Sequence, residues 1–385
     1  MVKKKKIGIV TLHAIANYGG ILQAYALQIV LERMGYEAEK IELSMWRKQL
    51  TRFQKLWIYP YRMFQKKILK KSCIIKKEEH QYESGMAKYD RAMYTMPFIN
   101  TYIKRKQIYS YIELNQDDYE ALIVGSDQIW RPRYIRDANA DIRDSYLQFA
   151  KGWDVKRIAY AASFGTNECE YTPSELKDCG ELLEKFDAVS VREESGIQLC
   201  AAMGRADVCQ LVDPTLLLNK EDYIKLIPDN YPKSEGDLLC YVLDKTGETG
   251  RIIQYVAQQL NLRLFEVISN PMARTNKEDG YYQPPVEKWL QGFKDAKFVV
   301  TDSFHACVFS ILFGKPFIVI GNQERGMARY QTLLKMFRVE ERLILTYDKQ
   351  TIDKILQTAF MPEMDGLNRE RDKARTYIHE QLQRT

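Results

Sequence analysis

Strand-length apolar runs alternate with helix-length stretches twice along this chain, and that repeated alternation limits the fold more than any other feature. The first series opens with KKIGIVTL (5–12), a strand, and ILQAYALQIVLERM (21–34), a helix with an apolar face closed by Gly35. EAEKIEL (37–43), YEALIV (119–124) and RIAYAAS (157–163) read as further strands. TPSELKDCGELLEKF (172–186) is a helix with Thr172 as N-cap and Pro173 at its first position. AVSVRE (188–193), the helix ESGIQLCAAMG (194–204) and VCQLVDPT (208–215) complete this half. A turn-rich stretch, LIPDNYPKSEGD (226–237), interrupts the pattern. The alternation then restarts with LLCYVLD (238–244), LRLFEVIS (262–269), KFVVTDS (297–303) and FIVIG (317–321), separated by helices. A strand followed by a helix, repeated, builds parallel sheets covered on both faces. We therefore expect an α/β chain of two Rossmann-like domains, 1–226 and 227–365, facing a cleft, with a final helix over 366–385.

Composition narrows the setting. The 385 residues are 45% hydrophobic, enough for two or three cores. Seven cysteines lie scattered without metal-ligand or disulfide spacing, which suggests a reducing, cytoplasmic compartment and no metal site. The opening lysines and apolar run imitate a leader, but the run is short and His13 interrupts it, so a first strand is the better reading. No apolar run approaches the roughly 20 residues of a spanning helix. The net charge of +6 hides a local excess: residues 47–77 hold eleven Lys or Arg and no acid. Trp46, Phe53, Trp57, Tyr59, Tyr61 and Phe64 are interleaved with these cations, inside a stretch (44–115) expected to be a basic helical insertion. Such a segment is either a solvated basic face or a surface for anionic lipid headgroups. No RNP, KH or helix-turn-helix pattern accompanies it, which disfavours nucleic acid.

In doubly wound sheets ligands bind beyond the carboxyl ends of strands, so residues just after strands carry the information. HAIANYGG (13–20) follows the first strand and opens a helix; Asn17, Tyr18, Gly19 and Gly20 there suit close approach of an anion to backbone N–H groups. GSDQIW (125–130) brings Ser126, Asp127, Gln128 and Trp130 together, a carboxylate, an amide and a stacking ring that suit sugar hydroxyls and a general base. Arg192 ends a buried strand, where it must meet an anion or a neighbouring acid such as Glu193 or Asp187. In VVTDSFHACVFSILFGKPFIVI (299–320), Ser303 can cap the helix that starts at Phe304. His305 then sits in the first turn, placed to face a bound phosphate, while Cys307 and Phe309 read as core.

Taken in order, IGIVTLHAIANYGGILQAYAL, LIVGSDQIW, YAASFG, SVREESG, VDPTLLL, TDSFHACVFSILFGKPFIVI and RGMARYQTLL resemble the polysaccharide pyruvyl transferase family. The resemblance implies a GT-B-like fold and no cofactor. It implies transfer of the carboxyvinyl unit of phosphoenolpyruvate onto a saccharide, lipid-linked acceptors included, as a pyruvate ketal. It makes His305 the acid or phosphate contact, Asp127 the base and Arg192 a donor clamp. Relatives carry Arg-x-His where this chain has Ser303-Phe304-His305, so either Arg325 or Arg329 supplies the missing cation or the donor differs. Two alternatives stand beside this one: a GT-B nucleotide-sugar glycosyltransferase, and a non-catalytic sugar- or membrane-binding protein. The basic segment 46–77 would hold the enzyme at the inner face of the cell membrane.

Overall fold

A computed structural model of the protein describes residues 5–13, 15–44, 51–68, 90–137, 140–267, 282–322 and 326–384. Strands β1 (Lys6–Val10), β2 (Ala38–Leu43), β3 (Arg105–Ile108), β4 (Tyr119–Val124), β5 (Lys156–Ala162), β6 (Ala188–Val191) and β7 (Val208–Gln210) form one sheet. Their order is β3-β2-β1-β4-β5-β6-β7, and every pairing is parallel. A second parallel sheet contains β8 (Leu238–Tyr241), β9 (Leu264–Glu266), β10 (Phe298–Thr301), β11 (Phe317–Ile320) and β12 (Leu343–Ile344), in the order β12-β11-β10-β8-β9. Both orders reverse direction once, between β1 and β4 and between β10 and β8, which creates a crevice at the carboxyl ends of those strands. The apolar runs read as strands are covered on both faces: β6, β8, β10 and β11 are buried throughout. Two such domains facing one another make the architecture GT-B-like.

β3 lies within the stretch expected to be a helical insertion. Its residues, RKQI, show neither apolar alternation nor a run, and only its pairing with β2 makes it a strand.

Two helices bring the halves together. Tyr18–Arg33 is buried along most of its length, and all nine residues of Phe304–Leu312 are buried. Their apolar side chains belong to one continuous core that draws on both domains, from Ile7 and Ile21 to Trp289 and Phe309. The last helix, Met364–Gln383, crosses back to the first domain. Arg371 Nε donates to the Leu216 carbonyl at 2.6 Å, Tyr377 Oη to that of Ala159 at 3.1 Å, and the Leu382 carbonyl accepts from Lys156 Nζ at 2.6 Å.

The helix Arg52–Lys67 is capped by Thr51, whose side chain and that of Gln54 each accept from the other's backbone N–H. Its orientation inverts the usual pattern. Ile58, Tyr59, Arg62 and Gln65 are half-buried, while Phe53, Trp57 and Tyr61 are 80%, 81% and 62% exposed. Trp46, Lys70, Lys71 and Lys77 lie outside the described residues. Among those described, no helix is long and apolar enough to cross a membrane.

Candidate active site

Four strand ends supply one buried cluster. After β4 the chain turns through Gly125 and Ser126 to Asp127, which has φ 61°. Aspartate is among the few residues that tolerate that left-handed region. The turn is fastened from below: the Asp127 carbonyl accepts from Ser163 N at 3.0 Å, and Ser126 Oγ donates to the Ala161 carbonyl at 2.8 Å. After β6, Arg192 places its guanidinium between two carboxylates, 2.7 Å from Asp213 Oδ2 and 3.5 Å from Asp127 Oδ1. After β7, Asp213 caps the turn Pro214–Leu217 through Oδ1, which accepts from Thr215 N and Oγ1. After β10, Ser303 caps the helix Phe304–Leu312 and His305 follows in its first turn.

Asp213 is the hub. Its Oδ2 accepts from Arg192 and shares the single Ser126 hydroxyl proton, at 3.2 Å, with the Ala161 carbonyl, and His305 Nε2 stands 3.5 Å away, an ion-pair distance without hydrogen-bond alignment. Burial alone would raise the Asp213 pKa, but the charge of His305 and then that of Arg192 hold it far below the usual carboxylate range. Burial likewise works against the Arg192 cation, and Asp213 followed by Asp127 more than offsets it. The other side of His305 rests on the first domain: a Cβ added at Gly19 would lie 2.0 Å from His305 Nδ1. The cluster thus joins Asp127, Arg192 and Asp213 of one domain to His305 of the other.

A second arginine enters from the helix Ala328–Phe337. Arg192 and Arg329 both lie over the Phe304 ring, at 4.5 and 5.6 Å from its centre. Arg329, one of the two arginines considered for the missing cation, thus lies beside Arg192 over the Phe304 ring. Burial, then the like charge of Arg192, lowers the Arg329 pKa. Arg192 Nε is buried without a hydrogen-bond partner. Two guanidiniums are thus held together in a buried place, and one of them keeps an N–H outside the network that Asp213 and Asp127 form. Arg325, the other candidate, lies outside the described residues.

Several expected contacts are corrected. Trp130 is fully buried, stacks on Tyr146 at 4.9 Å and donates Nε1 to the Ser145 carbonyl, so it is core and offers no face to a sugar. Tyr18 is fully buried against Trp289 at 5.3 Å, with its hydroxyl donating to the Pro284 carbonyl. Gln128 Oε1 accepts from Arg131 at 3.1 Å and packs against Gly165. Ser126 serves the Asp213 network. At the helix starts side-chain caps take up part of the N–H groups: Asn17 Oδ1 accepts from Gly19 N and Gly20 N, and Ser303 Oγ from Ala306 N. A short polar N-cap satisfies these donors before any ligand can. Arg192 pairs with neither neighbour considered in the sequence. Glu193 Oε1 accepts from Phe164 N and Gly165 N, and Asp187 from Arg157 N.

Asp213 was missed. In VDPT an Asp before Pro reads as an ordinary turn cap, which it also is, and nothing local shows the second oxygen's partners.

With this geometry in view, a sequence model described as "Polysaccharide pyruvyl transferase" matches residues 17–324, most of the chain. The chain belongs to the polysaccharide pyruvyl transferase family. Among curated proteins none matches it. Of solved structures, UDP-GlcNAc 2-epimerase from Neisseria meningitidis bound to UDP-GlcNAc aligns over 98% of this chain and 99% of its own, with 10% identity and a TM-score of 0.49. The UDP-GlcNAc 2-epimerase from Methanocaldococcus jannaschii aligns over 97% and 99%, with 11% identity and a TM-score of 0.49. Arabidopsis thaliana UGT89C1 complexed with UDP-L-rhamnose aligns over 99% and 98%, with 10% identity and a TM-score of 0.47.

Proposed function

We propose that the protein transfers the carboxyvinyl unit of phosphoenolpyruvate to a saccharide, closing a pyruvate ketal across two hydroxyls and releasing phosphate. The observation that carries this reading is the buried arginine pair over Phe304, beside His305. A small anion offsets the charge of Arg329, which burial and then the like charge of Arg192 disfavour. Family membership supports the reaction class.

The chemistry assigns each group a task. His305, paired with Asp213, gives a proton to the donor's methylene carbon or to the departing phosphate. C2 gains oxocarbenium character and is attacked by a hydroxyl whose proton Asp127 accepts. Arg192 and Arg329 hold carboxylate and phosphate while charge moves to the leaving oxygen. A thermal-shift panel of phosphoenolpyruvate, UDP-sugars and GDP-sugars tests the assignment. Phosphoenolpyruvate at 100 times its dissociation constant adds about 2.7 kcal/mol of stability. Stabilisation by a nucleotide sugar, with phosphoenolpyruvate inert, sinks the reading in favour of glycosyl transfer.

The outward apolar face of the helix Arg52–Lys67 supports work at an anionic membrane, where lipid-linked saccharides are met. Phe53, Trp57, Tyr61 and Phe64 face water beside the exposed Lys66 and Lys67. Each cation near such a surface contributes about 1 kcal/mol. Co-sedimentation with vesicles should need anionic lipid and weaken with salt and with Trp57→Ala; equal recovery with neutral vesicles refutes docking.

A further inference from the structure

Ketal formation removes two hydroxyl protons, and Asp127 answers for one of them. We infer that His13, oriented by Glu42, is a second general base that takes a proton from a saccharide hydroxyl in the cavity beside β1. The inference rests on the pyruvyl-transfer reading above and adds a residue to it.

His13 follows β1 directly, at the carboxyl edge where ligands of such sheets bind. Its Nδ1 stands 3.1 Å from Glu42 Oε1, and its side chain is 33% exposed. Glu42 is buried on β2 and is held also by Lys40 Nζ at 2.9 Å and Arg105 at 2.8 Å. Burial works to raise the Glu42 pKa, but Lys40 and then His13 hold it well below the usual carboxylate range. A carboxylate so fixed is no base itself. It faces Nδ1 and leaves Nε2 as the nitrogen that can act, the arrangement by which an acid orients a catalytic histidine.

The nitrogen left over has somewhere to work. His13 lines a cavity of about 450 Å³ together with Thr11, Asn17, Tyr111, Tyr134 and Asp144. Two rings and several polar groups around that volume suit a sugar. Burial, and secondarily Asp141 against the opposing Arg143, pushes the Asp144 carboxyl up to about 6. Hydrogen bonds connect the cavity wall to the buried cluster. Thr11 Oγ1 donates to the Ser126 carbonyl at 3.1 Å, and Ser126 Oγ donates to Asp213. Asn17, on its wall, caps the helix whose Gly19 lies under His305.

The proton inventory closes. Both hydroxyl O–H bonds break, and each oxygen forms a bond to the donor's C2. The C2–O bond to phosphate breaks with its electron pair on the phosphate. The carbon–carbon double bond spends its pair on a proton at C3. Of the two protons released, one ends on the new methyl group and one on phosphate, so no outside reagent is required. His13 and Asp127 collect protons on the saccharide side, and His305 delivers on the donor side.

Purified protein is titrated with phosphoenolpyruvate and with methyl glycosides of glucose, galactose, mannose, N-acetylglucosamine and N-acetylmannosamine while imidazole resonances are followed. The chain has four histidines (13, 80, 305 and 379), and His13→Asn identifies the relevant signal. At least one glycoside should shift His13, and phosphoenolpyruvate should shift His305. Asn can still donate to Glu42 but cannot act as a base. His13→Asn should therefore keep its melting temperature and its affinity for phosphoenolpyruvate while glycoside-dependent phosphate release falls 100-fold or more in kcat with KM little changed. A structural His13 would be rescued by Asn. Full turnover in that variant, or no glycoside response at His13, overturns the inference. Failure of phosphoenolpyruvate to bind the unaltered protein instead overturns the reading on which it rests.

Discussion

Replacing Gly19 with alanine sets helix propensity against the geometry of the cluster. In the helix Tyr18–Arg33 the change should add about 1 kcal/mol of stability by propensity alone. At this position the new Cβ would stand 2.0 Å from His305 Nδ1 and 2.3 Å from its Cγ. Carbon–heavy-atom contacts sit at about 3.5 Å, so the imidazole must retreat by about 1.5 Å. Overpacking of this kind costs about 1–3 kcal/mol, leaving a net loss of about 0–2 kcal/mol in a protein that typically has 5–15 to spare. The chain therefore still folds. Displacing a reacting group by 1 Å costs about 100-fold in rate, and kcat for phosphate release should fall by at least that much. The assay pairs that kcat with a urea midpoint and the His305 imidazole resonance. Gly250→Ala is the control: it lies in the helix Gly247–Leu260 with nothing near its missing Cβ, so it should stabilise by up to about 1 kcal/mol and leave kcat unchanged. Full activity in Gly19→Ala, with an unmoved His305 signal, would refute the packing argument and the role given to His305 together.

Other substitutions separate chemistry from folding. Arg192→Lys keeps a charge between Asp127 and Asp213 but loses the planar fork, so phosphoenolpyruvate affinity should fall 10-fold or more with a smaller change in melting temperature; isothermal titration reads the first and calorimetry the second. Trp130→Phe removes a core ring edge and its bond to the Ser145 carbonyl, so it should lower the urea midpoint and leave KM for the saccharide unchanged. Asp144, pushed up to about 6 chiefly by burial, binds more protons folded than unfolded between about pH 4 and 6. Its contribution to stability is therefore present below that window and lost as pH rises through it. Asp144→Asn should flatten this slope and raise the melting temperature at pH 7 more than at pH 4.5, as thermal melts across pH will show.

The parallel sheets were legible because their strands are buried on both faces and so appear as unbroken apolar runs. β3 was not, because the edge strand RKQI carries no such signal and depends on the pairing of Lys40 to Leu43 with it. In the cluster, Asp127, Arg192 and His305 were legible as polar residues just past such runs. Trp130 and Tyr18 carry the same local signal and are core, since a ring after a strand packs inward as readily as it stacks on a ligand. Asp213 was hidden by its own cap, and Arg329 by distance: 25 residues separate it from Phe304, and only the fold shows that the ring of one receives the charge of the other.

Transfer of a carboxyvinyl unit leaves a mark that no other reading produces. The protein is incubated with phosphoenolpyruvate and the lipid-linked saccharide fraction of its host, with phosphorus and proton NMR recorded together. Each phosphate released should be matched by the loss of one pair of vinyl protons and the gain of one methyl singlet on a phosphorus-free ketal carbon attached to sugar. Phosphate released with free pyruvate alone, or nucleoside diphosphate released from an added nucleotide sugar while phosphoenolpyruvate stays intact, would contradict pyruvyl transfer.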